Sequence, residues 1–92
     1  MAVRRLSILQ KRRGDLSEAV RLWEEAAGRG HLYAFIELAK HYEHQVRDFE
    51  EAIHWTRSAI ELVKNGDFTP FERQQLLHEL EHRLARLERK NA

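Results

Sequence analysis

Two histidines and a glutamate in the last third of the chain have the spacing best suited to chemistry. His78-Glu79-Leu80-Glu81-His82 puts two imidazoles four positions apart. On a helix they share one face, and a zinc ion can bridge them. Glu79 would then be the general base, taking a proton from metal-bound water as it attacks a peptide carbonyl. That chemistry needs a third protein ligand, and only ten residues follow His82. It also needs a sheet edge to hold the substrate, and no alternating run reads as a strand. A helix rich in histidine and glutamate produces this string by composition alone. The expectation is a solvated helix face, with adventitious metal binding at His78 and His82 as the other reading. His41 and His44, with Glu43 between them, pose the same choice: a metal pair, or one histidine lining a groove while the other packs or meets water. The chain has no cysteine, which excludes disulfides and thiolate metal sites. No serine, histidine and acid arrangement and no glycine-rich phosphate loop can be read. The expectation is therefore no enzyme and no cofactor.

The elements that would position these residues are all helical. A first segment runs from about residue 3 to 13, anchored by Leu6 and Leu9. Gly14-Asp15 breaks it, the glycine suiting a left-handed helix end and the aspartate capping the next helix. A second runs from about 16 to 28, with Ala19, Val20, Leu22, Trp23, Ala26 and Ala27 at helical spacing. Gly28-Arg29-Gly30 stops it. A third, from about 31 to 44, carries Phe35, Leu38, Ala39 and Tyr42 as one buried stripe. A fourth, from about 48 to 64, ends at the Asn65-Gly66-Asp67 turn. A fifth, from about 69 to 90, opens with Thr69-Pro70-Phe71-Glu72, a capping box with proline at the first helical position. Along it Leu77, Leu80, Leu84 and Leu87 form one seam.

With 92 residues there is room for one domain, whose core must be thin. Charged residues make up 34%, as expected of helices with wet outer faces. No stretch of about 18 apolar residues exists, so no membrane span is expected. The start reads as no signal peptide, and with the lack of cysteine this leads to the expectation of a cytoplasmic protein. Net charge is only +1, but it is unevenly placed. Arg4, Arg5, Lys11, Arg12 and Arg13 precede the first acid, Asp15. Between Glu43 and Glu61, five acids (Glu43, Asp48, Glu50, Glu51, Glu61) oppose Arg47 and Arg57. Such polarity can steer a partner.

The two hairpins repeat one another. Leu6-Ser7-x-x-Gln10, then Gly14-Asp15-Leu16-x-x-Ala19-x-x-x-Trp23-x-x-Ala26, aligns with Leu38-Ala39-x-x-Tyr42, then Arg47-Asp48-Phe49-x-x-Ala52-x-x-x-Thr56-x-x-Ala59. The second copy has one extra residue near Gln45-Val46. Ala19 and Ala52 stand 33 positions apart, within the range of helical repeat arrays. Alanines at these places let helices approach closely: Ala19 and Ala52 within a hairpin, Ala26 and Ala59 between hairpins. The expected core is Leu16, Ala19, Trp23, Ala26, Phe35, Leu38, Ala39, Tyr42, Phe49, Ala52, Ile53, Ala59 and Ile60.

This pattern resembles the tetratricopeptide repeat, roughly Trp-x2-Leu-Gly-x2-Tyr followed by spaced Ala, Phe and Ala. Phe35, Leu38, Ala39, Tyr42, Ala52 and Ala59 match or conservatively replace it in the second copy. In the first, Val3, Ser7 and Gln10 stand at the aromatic, glycine and tyrosine places. The junction from Trp23 to His31 is similar to Sel1-like repeats, with their Ala-Ala then Gly-His link. A looser likeness joins Leu38 to Ala52 with the C-terminal repeats of some bacterial ribonuclease-H-like (exonuclease-like) proteins, although no nuclease carboxylate motif is present. The resemblance implies an all-α, right-handed superhelical fold of two hairpins, about 3–29 and 31–64, plus a capping helix at about 69–90.

It also implies a protein-binding role, because in this family the first helix of each hairpin lines a concave face. By register that face shows Arg4, Ile8, Lys11 and Arg12 from the first copy, and Tyr33, Ile36, Lys40 and His44 from the second. Cations beside an aromatic and two aliphatics suit an extended acidic peptide. Ile8 stands where the family's carboxylate clamp has an asparagine, a departure from that clamp. The alternative is that these cations are ordinary solvated residues. The same patch could touch nucleic acid phosphates, as in an accessory domain of a larger nuclease-like protein, but aromatic interleaving is sparse. Two repeats fall short of the three or so that make a stable stack. The leucines at 77, 80, 84 and 87 would either complete an intramolecular cap or form a homodimer seam with a second copy.

Overall fold

The computed structural model describes residues 17–92. The first predicted segment, core residue Leu16 and groove residues Arg4, Ile8, Lys11 and Arg12 lie outside the described residues. Those described form α-helices and one π-helical turn, with no strand among them.

Helix α1 spans Ser17–Gly28 and α2 spans Leu32–His41. Their link is closed by backbone bonds: Gly30 N–H donates to Ala27 O at 2.9 Å and His31 N–H to Ala26 O at 3.1 Å. Gly30 takes φ +83, a left-handed conformation that a side chain would strain. Ala26 and Ala27 at the end of α1 are buried beside Ala34 and Leu38 of α2. Val20, Trp23, Phe35 and Trp55 pack around them.

The C-terminal end of α2 departs from regular helix. Residues Tyr42–Val46 form a π-helical turn, closed when Asp48 N–H donates to Tyr42 O at 2.8 Å. Arg47 then takes φ 61, the left-handed region. A π-turn holds about one more residue per turn than an α-helix, and this one spans Gln45-Val46, where the sequence alignment of the two copies has its extra residue. Helical spacing predicts a helix to about His44, and its α-helical part ends at His41.

Helix α3 spans Phe49–Asn65, capped by Asp48, whose carboxylate accepts from Glu51 N–H at 3.2 Å. Helix α4 spans Pro70–Asn91. Its capping box is formed in full: Glu72 N–H donates to the Thr69 hydroxyl at 3.1 Å, and Thr69 N–H to the Glu72 carboxylate at 3.0 Å. The α3–α4 corner is tied by Arg73, which donates to Val63 O and Gly66 O. Gly66 is required there, since a Cβ would lie 2.6 Å from Leu62 O.

Helix α3 is the central element, packed on α2 along one flank and on α4 along the other. Ala52, Ala59 and Val63 have no exposure at all, as close helix approach requires. Buried Thr56 stands where the first repeat copy has Trp23, and its hydroxyl donates to Ala52 O at 2.8 Å, so no polar atom is stranded. Leu80 and Leu87 are buried, and Leu77 and Leu84 pack half-buried against the α3 core. The leucines at 77, 80, 84 and 87 therefore face α3 within the chain, the packing that the cap alternative expects of them. The thin core extends beyond the expected set, adding Ala27, Ala34, Val63, Leu80 and Leu87, while Ala19, Trp23, Phe35, Tyr42 and Phe49 are only half-buried.

Candidate functional site

A carboxylate carries the least expected chemistry of the molecule. Glu43, in the π-turn, has 1% of its surface exposed. Three cations of α4 converge on it. Arg86 donates from Nε at 3.1 Å and from Nη2 at 3.0 Å, one nitrogen to each carboxylate oxygen. Lys90 Nζ donates at 2.9 Å and Arg83 Nη1 at 3.3 Å. His44 Nε2 stands 3.5 Å away, its side chain open to solvent. Burial alone would push the Glu43 carboxyl up; the hydrogen bonds from Arg86 and Lys90, with the charges of Arg86 and His44, outweigh it and hold the group at about 2.

Local structure explains the convergence. Arg83, Arg86 and Lys90 stand at three- and four-residue steps on α4, so they share one face. That stripe runs beside the leucine seam, so seating the leucines on α3 carries the cations to the end of α2. The Lys90 ammonium also lies 5.8 Å from the centre of the Phe49 ring, and the Arg47 guanidinium lies 5.7 Å from it. Even with Glu43 ionised, the cluster keeps an excess of positive charge.

The predicted groove residues fare differently from one another. Tyr33 is 60% exposed at the start of α2, with its ring 6.1 Å from that of His31. Lys40 is exposed and pairs with Glu37 at 3.2 Å, a surface contact of small weight. His44 is exposed beside Glu43. Ile36 is half-buried and packs on the core cluster of Ala59, Ile60, Val63 and Leu80. Arg83, Arg86 and Lys90 were not foreseen, although their spacing, read beside the leucines, marked a cationic face.

His78, Glu79 and His82 lie exposed on α4. With Arg83 and Arg86 they line a shallow depression. Cations stand where a metal site would need further ligands, and no group of three or more metal-ligating side chains comes together among the described residues. His41 lies against Trp23 and Tyr42, ring centroids 6.1 and 5.0 Å away. Burial pushes its imidazole pKa down, whereas His44 stands in solvent. No described helix is long and apolar enough to cross a membrane.

Compared with protein-family models, with curated proteins and with solved structures, the chain matches none of them.

Proposed function

We propose that this chain is a non-catalytic protein-interaction module of tetratricopeptide-like architecture that holds an acidic, extended segment of a partner. In this reading the hairpins stack as a right-handed superhelix. The basic concave face combines Arg4, Ile8, Lys11 and Arg12 with Tyr33, Lys40 and His44, and the module works in the cytoplasm. The observation that carries it is the charge imbalance at the end of α2, where three cations meet one carboxylate on the same stretch of chain as exposed Lys40 and His44. An acidic segment passing along α2 meets Lys40, His44 and the cations around Glu43 there, and the exposed Tyr33 ring offers an apolar grip.

The test is a titration of an acetylated, C-terminally amidated hexaglutamate peptide, with hexaglutamine and an oligothymidylate of equal charge alongside. The expected result is binding of hexaglutamate alone, abolished when Arg4, Lys11, Arg12 and Lys40 are changed to glutamate in a chain whose circular dichroism is unaltered. Unchanged binding by that variant would sink the proposal. Equal binding of the oligonucleotide would move the reading to phosphate contacts.

A further inference from the structure

We infer that the outer strip of α4 is a docking track for an extended peptide, with an apolar residue held at Phe71 and a side-chain carboxylate held at Arg83. The inference rests on the interaction-module reading and places part of the partner on the last helix.

Arg83 is only partly committed to Glu43. Arg86 spends both arms of its fork on that carboxylate, and Lys90 reaches it at 2.9 Å while standing near the Phe49 ring. Arg83 makes the longest contact, 3.3 Å through Nη1. A guanidinium carries five N–H donors, so most of those on Arg83 have no partner among the described residues. Its side chain is 23% exposed and lines the depression next to His78. Glu79, one helical turn earlier on the same depression, forms no ion pair with Arg83. A carboxylate arriving from outside can therefore take two parallel N–H bonds without displacing Glu43.

The depression does not end at His78. A second one, lined by Phe71, Gln74, Gln75 and His78, shares that histidine, so the two adjoin along α4. From Phe71 to Arg83 the helix rises about 18 Å, the reach of about five to six extended residues. Phe71 is 70% exposed, an aromatic ring with nothing over it at one end. Two carboxamides follow, each able both to donate and to accept a bond from a peptide backbone. Cations close the other end. Apolar, amide and cationic zones in this order fit a peptide better than a uniformly charged phosphate chain.

The experiment uses an acetylated, amidated heptapeptide with leucine at one end and three glutamates at the other, made in both directions. Binding to the full chain is read by isothermal titration. One of the two directions should bind, with affinity falling at least tenfold in Arg83→Ala and at least threefold in Phe71→Ser, and unchanged in the control Lys64→Ala. Far-UV circular dichroism confirms that each variant is folded. Replacing the three glutamates by glutamines should remove the Arg83 dependence. Binding that ignores both Arg83→Ala and Phe71→Ser overturns the track and leaves the α2 groove standing. If wild-type chain binds no acidic peptide at all, the interaction reading falls together with it. If light scattering shows a dimer that either variant converts to monomer, a second copy occupies the strip and the peptide proposal is overturned.

Discussion

Arg86 holds Glu43 with both arms of its guanidinium, at 3.1 and 3.0 Å, across 43 positions of the chain. This fork fastens the end of the last helix to the end of α2, which α4 otherwise meets mainly through α3. A buried charge without partners is costly, whereas one with a bidentate arginine and a lysine is tolerated. Glu43→Gln should therefore destabilise the chain by about 2–4 kcal/mol in urea unfolding, since the partners are themselves part-exposed. Arg86→Ala should cost more than Arg83→Ala, because the latter removes one long contact. Equal effects of the two would contradict the geometry.

Acid should act through the same residue. The folded pKa of Glu43, about 2, lies below that of an unfolded glutamate. Its contribution is thus fully present above the unfolded value, near 4.3, and is lost as pH falls through about 2. Unfolding free energy should drop by on the order of 3 kcal/mol across that window. In Glu43→Gln this part of the drop should vanish, leaving a visibly flatter profile in the same buffers.

The cap of α4 was plain in the sequence and is present in the structure. Thr69→Ala removes the acceptor of the Glu72 N–H bond and should cost about 1 kcal/mol. Thermal melts of the two proteins provide the check, with the variant expected several degrees lower.

The leucine seam gives a prediction that separates its two readings. Leu87 has no exposure, so Leu87→Ala should leave a cavity and cost about 2–5 kcal/mol. Leu80→Asp should unfold the chain. A folded Leu80→Asp monomer, obtained from a dimeric parent, would mean that the seam serves association.

What the sequence made legible follows from locality. Caps, breakers and periodicity are decided by near neighbours, so the Thr69 box, the Gly30 turn and the bounds of α3 and α4 could be read directly. The alanines at 26, 52 and 59 could be placed because repetition reported their close contacts. Glu43 could not: its burial depends on residues about 40 positions away, and taken alone it belongs to an acidic stretch. The packing of Ile36 on Ala59, Ile60, Val63 and Leu80 was not legible for a related reason, since helical register says which way a residue faces and not which element will arrive beside it. The cations at 83, 86 and 90 were hidden by the leucines beside them, which explained the helix so well that its second face went unread.

The extra residue near Gln45-Val46 has a consequence beyond lengthening a loop. Each residue of an α-helix turns the chain by about 100°, so inserting one changes phase rather than length. That change falls within the π-turn Tyr42–Val46, and Glu43 inside this turn meets the last helix. In the first copy, with no such insertion, Lys11 stands one place after Gln10 just as Glu43 follows Tyr42, and carries the opposite charge. At matching places of the two copies the chain thus carries opposite charges, and the glutamate of the second is the one that complements the cations of the terminal helix.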